Sequence, residues 1–208
     1  MTIFRTALLA GGFALLASAG TARATLIIAI DGTTEAGADP SNTLASFSGA
    51  VGGFNINRIN VAGVAAFGGS GEVFDLSSLD ISTFGSGTLT IDVTETGLTA
   101  LPPDTISGIF SGSISNAAVT RSIYLDTTDA GLETTLLGST TAAGGSFSYE
   151  QAAVTGPFSI TEEIHLTAEG WGATLSSDDS VTVPEPISLA LLGTGLAGIG
   201  AVLRRRRR

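Results

Sequence analysis

The sequence contains no cysteine and no lysine, and it has a single histidine, His165. Without cysteine there are neither disulfides nor thiol chemistry, so stability must come from packing. One histidine among scattered carboxylates lacks the spacing of a zinc site, and no nucleophile elbow or phosphate-binding glycine loop is present. We therefore expect a protein that is not an enzyme and that holds no cofactor beyond weakly bound Ca²⁺.

The first 24 residues have the composition of a secretory signal peptide. Arg5 supplies the positive charge, residues 7–16 form the apolar segment, and Ala22 and Ala24 are the small residues of a cleavage site. A permanent N-terminal anchor is disfavoured because the apolar run is short. We expect residues 1–24 to be removed on export.

The chain ends in an extended stem, an apolar run and a cluster of charge. Pro184, Glu185 and Pro186 keep the stem extended, because proline is poorly tolerated inside helices. Residues 187–203 carry no charge, and as a transmembrane helix they would reach roughly 25 Å, the short end of what spans a bilayer. This pattern fits an ordinary single-pass anchor, or a tail that a membrane-embedded enzyme grips at Glu185. The cytoplasmic membrane stop consists of Arg204, Arg205, Arg206, Arg207 and Arg208.

This order of Pro-Glu-Pro, apolar segment and arginine cluster resembles the PEP-CTERM sorting signal, over residues 183–208 only. In that family the tail is recognised by exosortase, an integral-membrane enzyme of Gram-negative bacteria. The resemblance implies a transient inner-membrane anchor, followed by release to the cell envelope or extracellular matrix. It also links such proteins to exopolysaccharide and biofilm. We therefore expect a non-enzymatic surface or matrix protein with exopolysaccharide as a partner.

The exported domain between these two segments, residues 25–182, is strongly acidic. Its eighteen carboxylates face only Arg58 and Arg121, which leaves a net charge of −16. Such a charge repels nucleic acid and anionic lipid surfaces, so nucleic acid is not an expected partner. It favours solubility outside the cell and attracts divalent cations.

Apolar residues in this domain recur with a period of two, which predicts strands rather than helices. The alternation is clearest at Leu89, Ile91 and Val93, and turn-forming residues separate this run from its neighbours. We predict one all-β domain over residues 25–182, an antiparallel β-sandwich or jelly roll. Its predicted core includes Leu89, Ile91, Val93, Phe110, Ile123, Phe158, Ile164 and Leu166.

Three stretches depart from simple alternation. Residues 26–30 are continuously apolar, which predicts a strand buried on both faces. The apolar phase changes between Ile56 and Ile59, which predicts a β-bulge near Asn57 or Arg58. Residues 132–137 are compatible with a helical turn.

A few charged residues fall where chemistry would be sought. His165 would share a strand face with Glu163, Thr167 and Glu169, which suits a weak metal site or an acid–base pair, although a solvated outer face is the favoured interpretation. Glu162 and Glu163 point to opposite faces and so cannot flank one glycosidic bond. Glu162 and Arg121 are each in phase with core residues. Either a bulge turns Glu162 outward or a cation meets it, and a pair with Arg121 is one such arrangement.

Trp171, Tyr124 and Tyr149 are the aromatic residues that a sugar-binding site would use. Their dispersion along a β chain favours core or rim positions. An exposed aromatic platform at any of them would instead favour a carbohydrate-binding module. A polysaccharide-active enzyme would need two carboxylates in one cleft, which the strand phases do not supply.

Acidic residues also collect in predicted loops, and Ca²⁺ prefers several oxygen ligands. No EF-hand spacing is present, so solubilising surface charge is the favoured interpretation. The weak Ca²⁺ candidates are Asp31, Glu35, Asp39, Asp126, Asp129, Asp178 and Asp179.

Calcium binding by these loops predicts a salt-specific stabilisation. Extracellular Ca²⁺ modules bind with Kd of roughly 10⁻⁴ to 10⁻³ M, and a concentration ten times Kd stabilises by about 1.4 kcal/mol per site. The thermal midpoint in millimolar CaCl₂ should therefore exceed that in NaCl of the same ionic strength. Equal midpoints would show that the acidic loops are only solvated. Bound ions could also bridge the domain to acidic polysaccharide.

Overall fold

The computed structural model describes residues 25–37, 44–63, 72–101, 105–131, 134–141, 145–150 and 154–182. The predicted signal peptide with Ala22 and Ala24, the sorting motif with Pro184, Glu185 and Pro186, the membrane helix and the arginine cluster all lie outside these residues. The described elements are β1 (Thr25–Ile30), β2 (Thr33–Gly37), β3 (Leu44–Val51), β4 (Phe54–Gly63), β5 (Glu72–Thr83), β6 (Gly87–Leu101), β7 (Thr105–Ser115), β8 (Ala117–Asp126), β9 (Thr135–Thr140), β10 (Gly145–Glu150), β11 (Val154–Ala168) and β12 (Thr174–Thr182).

Within the described ranges these strands form two antiparallel sheets of six strands each. Sheet A has the order β2-β1-β6-β11-β8-β9, and sheet B has the order β10-β7-β12-β5-β4-β3. The two apolar faces meet in one core, so the predicted all-β antiparallel sandwich is confirmed. No helix in the described part of the chain is long and apolar enough to cross a membrane.

The core follows the period of two that the sequence shows. All eight predicted core residues are buried, none more than 3% exposed. In β1 the buried residues are Leu26, Ile28 and Ile30, whereas Ile27 and Ala29 are half-buried. The prediction that this strand is buried on both faces is wrong, because only its inner face packs against the other sheet.

The bulge prediction is confirmed in β4. The register of β4 against β5 shifts between Ile56 and Arg58, and both Asn57 and Arg58 are exposed there. The extra residue returns Ile59 to the core. The helical turn predicted for residues 132–137 is wrong from Thr135 onward, because β9 pairs with β8 and takes its backbone hydrogen bonds from that strand.

Several turns meet at one end of the sandwich, which we call the loop end. The amide of Phe84, after β5, donates to the carbonyl of Gly53, after β3. The amide of Glu169, after β11, donates to the carbonyl of Asn116, after β7. These backbone bonds bring four connections from both sheets side by side.

Candidate functional site

Two aromatic side chains stand exposed on neighbouring loops at the loop end. Trp171, between β11 and β12, is 80% exposed, and Phe84, between β5 and β6, is 59% exposed. Their ring centroids are 6.5 Å apart and their planes meet at 75°, an edge-to-face contact. We call these two residues the aromatic pair. A pair in this arrangement leaves ring surface open to a ligand.

The backbone beneath the aromatic pair is fixed by hydrogen bonds between its two loops. The amide of Thr83 donates to the carbonyl of Ala173 at 3.0 Å, and its hydroxyl donates to the carbonyl of Gly170 at 3.1 Å. Gly172 has a φ of 72°, a conformation that glycine adopts at little cost, and its amide donates to the carbonyl of Thr83. The chain therefore turns sharply just after Trp171, and the indole stays outside the core.

Only one of the three aromatic residues singled out in the sequence lies at this surface. Tyr124 is half-buried on β8 of sheet A, and Tyr149 lies on β10 with its side chain outside the described set. Phe84 was missed, because it is one of ten phenylalanines and follows a strand whose other apolar residues are core. Its only sequence signal was the Gly-Ser-Gly turn directly after it.

A buried ion pair joins the two sheets in the core. Arg121 on β8 is 0% exposed, and its Nε donates to Oδ2 of Asp179 on β12 at 3.1 Å. The hydroxyl of Ser177 donates to the same oxygen at 3.2 Å. The guanidinium also lies 4.8 Å from the centroid of the Phe110 ring, within reach of a cation–π interaction. The ion pair therefore links sheet A to sheet B.

Glu162 belongs to the same buried cluster. It is 1% exposed on β11, and the pairing of β11 with β8 runs through it without a register shift, so no bulge turns it outward. Burial raises the pKa of Glu162 well above its usual range, the charge of Asp179 raises it further, and Arg121 opposes both. Burial also raises the pKa of Asp179, against the lowering effect of Arg121. The single guanidinium of Arg121 therefore opposes the raised pKa of both carboxyl groups, while it pairs with Asp179.

A third buried carboxyl group lies on β6. Glu95 is 2% exposed and packs against Gly63 of β4, where an added Cβ would lie 3.2 Å from the carboxyl carbon. Burial raises the pKa of Glu95 to about 7. The sequence carried a signal for this residue, because Glu95 continues the alternation of Leu89, Ile91 and Val93.

Asp126, the last residue of β8, and Asp129, in the loop that follows, accept hydrogen bonds from the backbone around them. Asp126 is 1% exposed, and its carboxylate accepts hydrogen bonds from the amide and hydroxyl of Thr128 and from the amide of Ala130. Oδ1 of Asp129 accepts a hydrogen bond from the amide of Gly97 at 2.6 Å. These bonds fold the loop after β8 over sheet A, and a bound Ca²⁺ would have to compete with them.

The other acidic candidates are spread over the molecule. Oδ1 of Asp31 accepts a hydrogen bond from the amide of Thr90, Glu35 is exposed on β2, and Asp178 is exposed on β12. Asp39 lies outside the described residues. His165 is half-buried on the outer face of sheet A, on the same side of β11 as Glu163. In the described ranges no three His, Cys, Asp or Glu residues are grouped to hold a metal ion.

The buried carboxyl groups predict a domain that is more stable at mildly acidic than at alkaline pH. The folded-state pKa of Glu95 lies near 7 against 4.5 for the free group, so the unfolded chain loses the proton first as the pH rises. The free energy of unfolding should fall across this window by roughly 3 kcal/mol. Thermal unfolding at about pH 5 and pH 8 would measure the difference.

The Glu95→Gln variant should flatten this dependence and melt at a higher temperature than the parent chain at the alkaline pH. Glu35→Gln is the matched control, because it removes an exposed carboxylate with the same formal charge. If Glu95→Gln keeps the full pH dependence, the Glu95 carboxyl group is not buried as described.

Comparison with known proteins identifies the tail of the chain. No curated protein matches the sequence. Five solved chains match; one is TmCBM61 in complex with beta-1,4-galactotriose, at 12% identity over 76% of this chain and 88% of that chain, with a TM-score of 0.26. That score is too low to support an argument about fold or ligand. Residues 182–208 match the PEP-CTERM protein-sorting motif, as the resemblance predicted. The chain therefore carries a PEP-CTERM tail, which implies an exported protein of the cell envelope that an exosortase processes.

Proposed function

We propose that the chain is a non-enzymatic surface or matrix protein, held briefly in the inner membrane by residues 187–203 and then released by an exosortase. The observation that carries this proposal is the sorting motif at residues 182–208. The motif begins where the last described strand, β12, ends at Thr182. The folded domain and the processing signal are therefore adjacent, without a further described element between them. A signal peptide over residues 1–24 would start the export.

The position of β12 supports a role for the loop end after processing. This strand starts beside the aromatic pair, since Ala173 bonds the Thr83 backbone, and it ends at Thr182 nine residues later. At about 3.3 Å per residue the tail leaves the domain roughly 30 Å from the loop end. An anchored chain would thus hold the aromatic pair away from the membrane.

Replacing Glu185 tests the sorting proposal. Glu185→Ala removes the charged residue of the stem, and we expect a full-length species to accumulate in the inner membrane. Intact mass of the protein from membranes and from medium would measure it. Glu35→Ala, which removes an exposed carboxylate of β2, should mature normally. Normal maturation of Glu185→Ala would contradict processing at this motif.

A carbohydrate-binding module is the second candidate function, and the exposed aromatic pair favours it. The C–H face of a sugar ring packs on an aromatic ring, and Trp171, 80% exposed on a hydrogen-bonded loop beside Phe84, offers such a ring. A polysaccharide-active enzyme is less favoured. The three carboxyl groups whose pKa burial raises most clearly, Glu95, Glu162 and Asp179, lie in the core and not at this surface.

Affinity electrophoresis of the full chain in gels that contain soluble polysaccharides tests this candidate. The apolar run of residues 187–203 calls for a detergent. A non-ionic polyoxyethylene detergent is suitable, because a sugar-based one would compete with the polysaccharide for the binding surface. Trp171→Ala should lower the affinity for the retarding polysaccharide about tenfold, which corresponds to roughly 1.4 kcal/mol of binding free energy. Trp171→Phe should retain part of the binding. Leu136→Ala, at a 51% exposed apolar residue of β9, is the matched control. If Trp171→Ala changes mobility in no gel, the aromatic pair does not bind carbohydrate.

A further inference from the structure

We propose that the aromatic pair takes a neutral glycan and discriminates against acidic polysaccharides. This inference rests on the carbohydrate-binding function proposed above and names its ligand class. It follows from where the few positive charges of the exported domain lie. Uronic-acid and sulfated polymers carry a negative charge on many of their sugars, so a protein needs accessible cations to hold them.

The first of the two arginines in the exported domain, Arg121, is buried in the core. Between residues 25 and 182 the sequence has no arginine other than Arg58 and Arg121, and it has no lysine anywhere. Arg121 is 0% exposed and bonds Asp179 between the sheets. A polysaccharide on the surface cannot reach its guanidinium without opening the sandwich.

The second cation, Arg58, lies away from the loop end and faces a carboxylate. Arg58 is exposed on β4, four residues beyond Phe54, which begins the strand at the loop end. The bulge in β4 aligns Arg58 with Asp80, three residues before Thr83, so its backbone lies roughly 10 Å along the sheet from the loop end. Arg58 also lies directly across from Asp80 of β5, a carboxylate of opposite charge.

The charged residue in the loop of Trp171 itself is negative. Glu169 is exposed in the same loop, two residues before Trp171, and Asp31 is exposed in the turn after β1. A carboxylate repels an anionic polymer, but it accepts hydrogen bonds from the hydroxyl groups of a neutral sugar. A neutral ring that stacks on Trp171 would therefore find an acceptor beside it and no opposing charge.

Two other occupants of this apolar surface are disfavoured. A membrane is disfavoured because the sorting tail leaves the domain from the opposite end, after Thr182. A second copy of the chain is disfavoured because two domains of net charge −16 repel each other. An acidic polysaccharide bridged by Ca²⁺ is the remaining rival, and the experiment below includes it.

The test compares mobility of the full chain in gels that contain dextran, starch, a β-glucan, a galactan or alginate, with and without millimolar CaCl₂. We expect retardation by at least one neutral polymer, weakened about tenfold by Trp171→Ala and unchanged by Leu136→Ala. This retardation should be equal at about 50 and 500 mM NaCl, because no charge pair contributes to it. In gels with alginate, the parent chain and Trp171→Ala should have the same mobility, with or without calcium.

Each result separates the two proposals. Retardation by alginate that depends on Trp171, with or without CaCl₂, would overturn the neutral-glycan inference and leave the carbohydrate-binding function standing. Neutral-polymer binding that depends on Trp171 but disappears at high salt would also overturn the inference. Mobility that Trp171→Ala changes in none of the gels would overturn the carbohydrate-binding function, and the inference with it.

Discussion

The pairing of Arg121 with Asp179 is the interaction on which the charge distribution of the whole domain depends. Removing two charges from water is costly, and their attraction repays that cost only when the geometry satisfies both. The two residues meet only when β8 of sheet A faces β12 of sheet B. Any other alignment of the sheets would leave a bare charge in the core, so the pair penalises alternative packings.

The same pair determines what the outside of the domain can bind. Because Arg121 is buried in the core, Arg58 is the only other arginine of residues 25–182, against eighteen carboxylates. Three of those carboxyl groups, Glu95, Glu162 and Asp179, are themselves buried with raised pKa values. The surface of the domain therefore carries mostly negative charge, which favours a neutral ligand at the aromatic pair over an anionic one.

The sequence predicted the parts of this structure that depend on local alternation. Strand residues such as Leu89, Ile91 and Val93 follow the period of two, and the bulge at Asn57 follows from a change of phase. The partner of Arg121 could not be found this way. Asp179 lies 58 residues further along the chain on the opposite sheet, and only the pairing of sheets brings the two together. The burial of β1 on its inner face alone also depends on sheet packing, because nothing in the local sequence shows which of its two faces another sheet covers.

The aromatic pair likewise could be predicted from the sequence only in part. Trp171 was recognisable as an aromatic residue between two glycines, but its exposure depends on hydrogen bonds between the loops after β5 and β11. Those bonds also bring Phe84 beside it. Because β12 leads from this surface to Thr182, one strand fixes the distance between the proposed binding surface and the residue at which the matched sorting motif begins. Cleavage at the far end would release the domain without disturbing a backbone contact of the aromatic pair. The surface that an anchored chain holds away from the membrane would therefore be unchanged in the released one.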